Sequence, residues 1–175
     1  MAPDDDRSPP PEWDEPLPTL TGRAWAFGMR LTSTDILPAR FATASPAAAR
    51  RHLFADLDGA LADRIAPGDV LVAEEHHGTA DSAAPALAAL RAAGVLAMAA
   101  REFAPAVEAA ALAAGIVTVA LDAPAFIHTG DRLRIDLEAA KIVNLSSGDR
   151  VAIRNLTDER RAALRAMFQR QGERP

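Results

Sequence analysis

The sequence predicts an α/β fold in which a parallel α/β unit is followed by an antiparallel meander. Between residues 70 and 121, short apolar runs alternate with longer helix-like segments, and a glycine closes each helix. Strand, helix, strand, helix, strand with short links is typical of parallel pairing with right-handed crossovers. Residues 131–138 then alternate apolar and charged side chains, which is typical of a strand with one buried and one solvated face.

Two weaker segments precede the parallel unit. Residues 23–27 predict a short strand, and an irregular loop is expected between Gly28 and Pro38. Ser45 before Pro46 predicts a helix start, because serine caps exposed amides and proline is tolerated at the first helical position. Apolar side chains then recur at helical spacing: Leu53, Phe54, Leu57 and Leu61.

The parallel unit begins with a buried strand. A turn at residues 67–69 leads into residues 70–73, which are apolar on both faces, as expected of a central parallel strand. The pattern then gives helices over 81–93 and 103–114, closed by Gly94 and Gly115, and strands over 95–99 and 116–121. Glycine just past a helix fits the left-handed cap position.

The last part of the chain changes character. Residues 142–145 and 150–154 continue the strand at 131–138 as a meander. Thr157, followed by two acidic residues, caps an amphipathic C-terminal helix.

The length of 175 residues fits one domain with tails. Residues 1–19 are rich in proline and acidic side chains, which predicts a flexible tail. Residues 20–156 carry the folded domain, and residues 157–175 form a C-terminal helix and tail.

Charge and cysteine content exclude several classes of function. The 19 lysines and arginines against 24 acidic residues argue against a nucleic-acid or anionic-membrane partner. The chain has no cysteine, so it cannot form a disulfide or hold an iron–sulfur cluster through thiolates. We expect a cytoplasmic protein, because the sequence shows neither a secretory signal nor about 20 consecutive apolar residues.

Short matches to one family run through the chain in a fixed order. They are Gly22-Arg23-Ala24-Trp25-Ala26-Phe27-Gly28, Ile36-Leu37-Pro38-Ala39-Arg40-Phe41, Pro67-Gly68-Asp69-Val70-Leu71-Val72-Ala73, Ala84-Pro85, Ala92-Ala93-Gly94-Val95, Phe103-Ala104, Gly130-Asp131, Asp136-Leu137-Glu138 and Asn144-Leu145. On these residues, the chain resembles the small subunit of 3-isopropylmalate dehydratase, in the aconitase superfamily. The resemblance implies a three-layer β/β/α swivelling domain. It also implies a partner large subunit that holds an iron–sulfur cluster, with no cofactor bound by this chain.

The loop that carries the family's chemistry is rewritten. The family reads Gly-Ser-Ser-Arg-Glu-His-Ala-Pro where this chain reads Gly78-Thr79-Ala80-Asp81-Ser82-Ala83-Ala84-Pro85. Thr79 keeps a hydroxyl where the family's first serine is the catalytic base. Asp81 replaces an arginine that grips a substrate carboxylate, and an aspartate would repel that group. Two further departures, Thr32-Ser33-Thr34 for an aspartate-threonine-aspartate loop and Pro105 for an arginine, also make isopropylmalate an unexpected substrate.

Residues 74–81 lie at the carboxyl end of a predicted parallel strand and the amino end of a helix, the usual ligand position in α/β sheets. We predict Thr79 and His77 as catalytic residues, with His77 as a general acid or base. The candidate substrate-binding residues are Gly78, Asp81, Ser82 and Arg40. Four of these residues have a structural alternative: Asp81 or Ser82 caps the helix, His77 is a surface or packed histidine, and Arg40 forms a surface ion pair.

A metal hypothesis rests on His76 and His77 and the carboxylates near them. Consecutive residues of a strand point to opposite sides, so the two imidazoles are poorly placed to share one ion. We therefore predict no metal site in this chain.

The leading hypothesis is the small subunit of a heteromeric aconitase-type hydro-lyase or isomerase, acting on an atypical hydroxy acid. Its partners would be a cluster-bearing large subunit and a small-molecule substrate. The alternative is a catalytically silent swivel-fold subunit that binds, stabilises or regulates a partner. A third possibility is a cluster-independent enzyme that uses the histidine and carboxylate loop with another metal.

Overall fold

The computed structural model describes residues 15–172. Most of the tail predicted over residues 1–19, and the last three residues of the predicted C-terminal tail, lie outside the described residues. Within the described part, Leu17 is buried and the first strand begins at Thr19. No helix in this part is long and apolar enough to cross a membrane.

The described chain begins with a long strand, continues through short helices, and then combines strands and longer helices from residue 70 to residue 120. The strands are β1 (Thr19–Thr32), β2 (Val70–His77), β3 (Ala97–Ala100), β4 (Glu102–Phe103), β5 (Val117–Ala120), β6 (Arg132–Asp136), β7 (Lys141–Asn144) and β8 (Arg150–Ala152). The helices are α1 (Ser33–Ile36), α2 (Pro46–Ala49), α3 (Leu61–Arg64), α4 (Ala80–Ala92), α5 (Pro105–Ala114) and α6 (Asp158–Gly172). Short 3₁₀ helices lie at Ala39–Phe41, Arg50–His52 and Pro124–Phe126.

The strands form one mixed sheet in the order β5-β3-β2-β1-β6-β7-β8, with β4 paired to β2. Pairing is parallel among β1 to β5 and antiparallel among β6, β7 and β8. β1 belongs to both parts, because residues 19–23 pair antiparallel with β6 and residues 24–32 pair parallel with β2. The predicted α/β fold with a parallel unit and an antiparallel meander is confirmed.

Two apolar cores lie on the two faces of the parallel strands. On one face, Leu71, Trp25 and Met98 pack with the buried sides of α4 and α5. On the other, Val70, Val72, Ala97 and Ala99 pack with the antiparallel strands and with Leu164 and Met167 of α6. This is the three-layer β/β/α arrangement.

The helix ends follow the predicted chemistry. Gly94 and Gly115, after α4 and α5, have φ of +94° and +82°, the left-handed region that favours glycine. Ser45 caps α2, with Pro46 as its first residue, as predicted. α6 begins at Asp158, directly after the predicted cap Thr157.

Two expectations for the first third of the chain are wrong. The strand predicted over residues 23–27 extends to Thr32, because the backbone beyond Gly28 pairs with an equally extended β2. No long helix follows Pro46, since α2 ends after four residues and Phe54 has a φ of 59°, which a helix excludes. Leu53 and Phe54 are fully buried all the same, so their spacing reflects core contact in an irregular segment.

Candidate functional site

The predicted site loop lies where two parallel strands end side by side. β2 ends at His77, Gly78 and Thr79 form the link, and α4 begins at Ala80. In the pairing of β1 with β2, Thr32 is opposite His77. The turn into α1 and the turn into α4 are therefore neighbours at the carboxyl edge of the sheet.

Gly78 is required by close approach of other elements. A Cβ at this position would lie 2.1 Å from Ser33 Oγ and 3.3 Å from Val107 Cγ2. The Ser33 hydroxyl also donates a hydrogen bond to the His77 carbonyl at 3.3 Å. The loop is thus held against both α1 and α5, and only glycine fits there without displacement.

Thr79 is the N-cap of α4. Its hydroxyl accepts a hydrogen bond from Ser82 N at 3.4 Å, and Thr79 N donates to Ser82 Oγ at 3.1 Å. This reciprocal arrangement is a capping box. The capping role expected of Asp81 or Ser82 belongs to Thr79, with Ser82 as its N3 partner, while Asp81 is exposed in the first turn.

The neighbouring turn has the same construction, which sequence reasoning missed. Thr32 N donates to Asp35 Oδ2 at 2.7 Å, and Asp35 N donates to Thr32 Oγ1 at 3.1 Å. A signal is present in the sequence, because a threonine followed three residues later by an acid marks a capping box.

His76 and His77 have different environments. His76 is 1% exposed, its ring stacks on Phe103 with centroids 5.4 Å apart, and its Nε2 has no hydrogen-bond partner among the described residues. Burial lowers the pKa of His76 to about 3, and the charge of the adjacent His77 adds to this effect. The side chain of His77 is 43% exposed.

His77 is held by a carboxylate that sequence reasoning did not single out. His77 Nε2 lies 3.0 Å from Glu75 Oε2, and Arg30 Nε donates to the same oxygen at 2.8 Å. These hydrogen bonds, from His77 and then Arg30, lower the pKa of the Glu75 carboxyl. No local pattern reveals this contact, because Arg30 reaches Glu75 across paired strands.

The basic side chains close to the loop already have acidic partners. Arg30 pairs with Glu75, and Arg101 pairs with Glu74 at 3.0 Å. Asp81 has no ion-pair partner within residues 15–172. The uncompensated side-chain charge at this loop is therefore negative.

Arg40 is engaged elsewhere. Its guanidinium donates two hydrogen bonds to the Asp56 carboxylate, one of them at 2.9 Å, and it lies over the ring of Phe41. Among the described residues, no hydrogen bond or ion pair joins Arg40 to residues 77–82. A substrate-binding role for Arg40 stays a prediction, and it would require exchange of the Asp56 partner.

Within residues 15–172, the side chains do not form a metal- or cluster-binding set. The chain has no cysteine, and the described residues contain no group of three or more histidine or acidic side chains that could hold a metal ion. His76 is buried against Phe103, whereas His77 bonds to Glu75 near the surface.

Two solved structures share this fold. A 3-isopropylmalate dehydratase from Methanocaldococcus jannaschii matches with a TM-score of 0.74 at 23% identity, over 89% of this chain and 99% of its own. Aconitase X from Thermococcus kodakaraensis matches with a TM-score of 0.50 at 17% identity, over 80% of this chain and 93% of its own. The layered mixed sheet, with its loop at the carboxyl edge, is the three-layer fold that this chain shares with both proteins.

Sequence relatives give the family. The chain is 34% identical over 130 residues to the 3-isopropylmalate dehydratase small subunit of Nautilia profundicola, covering 74% of this chain and 78% of that protein. It is 33% identical over 132 residues to the small subunit of Moorella thermoacetica, covering 74% and 80%. The chain belongs to the family of 3-isopropylmalate dehydratase small subunits. No family model matches it.

Proposed function

We propose that this chain is the small subunit of a heteromeric aconitase-type hydro-lyase or isomerase, and that a large subunit completes its active site. The observation that carries this proposal is the similarity to dehydratase small subunits over about three quarters of the chain. The site loop keeps its place at the carboxyl edge of the parallel strands, between β2 and α4. This is the usual ligand position of α/β sheets.

The reaction divides between the two subunits. Elimination of water next to a carboxylate needs a base at one carbon and an acid at the hydroxyl of the next. This chain would supply the base side, with Thr79 and His77 for proton transfer and Gly78, Asp81 and Ser82 at the substrate end. An iron–sulfur cluster held by the large subunit would supply the Lewis acid.

The substrate is an atypical hydroxy acid that lacks the distal carboxylate of isopropylmalate. Asp81 stands where the family resemblance expects a carboxylate-binding arginine, and the nearby Arg30 and Arg101 are already paired. A distal group that is neutral or cationic would suit this loop, because Asp81 can accept hydrogen bonds from it.

The substrate assignment is tested by inhibition with 3-isopropylmalate. For the assembled complex, we expect weak inhibition by this compound, and Asp81→Arg to lower its inhibition constant by about 10-fold or more, as a charged hydrogen bond would. Asp81→Asn is the control, and its effect should be smaller because it removes repulsion without adding a donor pair. Turnover of isopropylmalate by the wild-type complex would show that the substrate assignment is wrong while leaving the hydro-lyase class intact.

The reaction class can be tested before the substrate is identified. The tagged chain, purified anaerobically with its co-purifying subunit, is incubated in D₂O with a small-molecule extract of its source cells. A hydro-lyase should place deuterium on one carbon of a hydroxy acid and produce its dehydrated partner, and mass spectrometry detects both. Absence of any such pair would contradict the proposal.

A catalytically silent subunit is the second candidate. The observation that favours it is the engagement of the Thr79 hydroxyl in the capping box of α4. Thr79→Asn removes the hydroxyl but keeps a capping side chain, so it separates chemistry from folding. Full turnover by the complexes of Thr79→Asn and of His77→Ala would favour the silent subunit.

A further inference from the structure

Two side chains from neighbouring strands converge on one carboxylate oxygen of Glu75. Glu75 Oε2 lies 3.0 Å from His77 Nε2 and 2.8 Å from Arg30 Nε. Arg30 is opposite Glu75 in the pairing of β1 with β2, and His77 follows two residues later on the same strand. Arg30 of the neighbouring strand therefore holds the Glu75 carboxylate, which also bonds to the imidazole of His77.

This contact assigns the two ring nitrogens of His77. The two hydrogen bonds lower the pKa of Glu75, so its carboxylate is ionised at neutral pH and can only accept. The hydrogen between them must then lie on His77 Nε2. In the neutral imidazole, Nδ1 is left as the basic nitrogen.

The hydroxyl of Thr79 is less free to take a proton. Its oxygen accepts from Ser82 N and lies 3.2 Å from Ser82 Oγ, as part of the cap of α4. The side chain of His77, in contrast, is 43% exposed at the carboxyl edge of the sheet. Histidine is also the side chain that most often serves as a general base, whereas an alcohol must first lose its own proton.

We propose that Glu75, anchored by Arg30, is a positioning residue that orients His77, and that Nδ1 of His77 is the base of the reaction. The inference rests on the hydro-lyase function proposed above. His77 takes the proton from the carbon next to the substrate carboxylate, and the electron pair of that C–H bond becomes the double bond. The hydroxide leaves the adjacent carbon toward the acid of the partner subunit, so that water is lost overall. A carboxylate that holds a histidine in one tautomer and orientation is the recurrent way to prepare such a base.

The preceding residue gives a matched control. Glu74 accepts hydrogen bonds from Arg101 at 3.0 and 3.3 Å, so it forms a similar surface ion pair, but among the described residues no histidine is hydrogen-bonded to it. Surface ion pairs contribute little to stability. Glu74→Gln and Glu75→Gln should therefore have similar effects on folding, and only the second should disturb His77.

The test uses the purified complex with the substrate pair found in the source-cell extract. We expect His77→Ala to lower kcat by about 100-fold or more, and added imidazole to restore part of it. Glu75→Gln should lower kcat by about 10- to 100-fold with little change in KM, as loss of an orienting partner does. Glu74→Gln should stay within about twofold of wild type, as expected of an exposed ion pair.

The possible outcomes distinguish failure of the roles proposed for His77 and Glu75 from failure of the proposed hydro-lyase function. Wild-type turnover with an unimpaired His77→Ala complex overturns the inference and leaves the hydro-lyase function standing. Equal losses in Glu74→Gln and Glu75→Gln overturn the positioning role, since the effect would then be one of charge. Failure of imidazole to restore any activity to His77→Ala overturns the role of His77 as base. No turnover of any compound by the wild-type complex overturns the proposed function and the inference together.

Discussion

Asp69 is a buried carboxylate that joins β1 to the turn before β2. It is 4% exposed, and its Oδ2 accepts hydrogen bonds from Trp25 Nε1 at 2.7 Å, Ala66 N at 2.9 Å and Arg23 at 3.1 Å. Arg23 and Arg64 also lie over the ring of Trp25. The Asp69 side chain thus attaches the turn before β2 to β1. The fold needs a buried acceptor at this position, and aspartate supplies it.

Asp69→Ala should lower the free energy of unfolding by about 2 to 4 kcal/mol, because it leaves buried donors without an acceptor. Urea denaturation of the purified chain measures this. Asp56→Ala, which removes an exposed partner of Arg40, is the control and should have a far smaller effect. Equal effects of the two substitutions would show that the buried hydrogen bonds of Asp69 do not stabilise the fold more than an exposed ion pair does.

His76 predicts how stability depends on pH. Its pKa is about 3 in the folded chain and about 6.5 when unfolded. Between these values the unfolded chain binds more protons, so stability should fall as the pH falls from 6.5 toward 3, by up to about 1.4 kcal/mol per pH unit. His76→Phe keeps a ring beside Phe103 but removes the titrating imidazole. The unfolded chain should then bind about one proton fewer relative to the folded chain, and the pH slope of stability should fall accordingly.

The measurement for His76 is urea denaturation at several pH values between 7 and 4.5. His128→Gln is the control, because the His128 side chain is 78% exposed, and it should keep the wild-type slope. A wild-type slope in His76→Phe would contradict the assignment of the pH dependence to this buried imidazole.

At the scale of elements, α4 depends on the cap that also belongs to the site. Thr79→Ala should cost about 1 kcal/mol of unfolding free energy, and Thr79→Asn only a few tenths, because asparagine also caps. Thermal and urea unfolding of the three chains give the comparison. If the alanine variant is as stable as wild type, the capping box of Thr79 and Ser82 does not stabilise α4.

The strand β1 turns from one part of the sheet to the other beside a glycine. A Cβ on Gly22 would lie 1.9 Å from the carbonyl oxygen of Gly68 and 3.2 Å from Val70 Cγ2, whereas a Cβ on Gly28 would meet nothing within 4 Å. Gly22→Ala should therefore destabilise the chain by about 1 to 3 kcal/mol, and Gly28→Ala by less than about 0.5 kcal/mol. Similar melting temperatures for both variants would contradict the close approach of β1 to residue 68.

The elements that the sequence predicted well are those with repeated, local signals. α4, α5 and the strands between them carry apolar runs, and each helix ends at a glycine, so the sequence predicts each element within a few residues of its observed bounds. The second half of β1 has no such signal, since Arg30, Leu31 and Thr32 are held extended by pairing with β2 beyond a register shift after Phe27. The helix predicted after α2 is absent, because Leu53 and Phe54 are buried in an irregular segment whose apolar residues recur at the spacing of a helix.

For the whole molecule, position in the fold was easier to predict than contact. The place of residues 77–82 at the carboxyl edge followed from the alternation of strands and helices. The contact of Arg30 with Glu75 and the approach of Ser33 to Gly78 depend on how β1 lies beside β2, which no local pattern encodes. Glu75 and His77 are only two residues apart. The residue types alone, however, do not show whether the two side chains bond to each other or extend separately into solvent.

The central claim is that this chain acts with a large subunit, and anaerobic affinity purification of the tagged chain from its source cells tests it most directly. Mass spectrometry of the eluate should identify a dehydratase large subunit in an amount equal to the chain. Recovery of the chain alone, or with unrelated proteins, would contradict the claim and point to a swivel domain with another role.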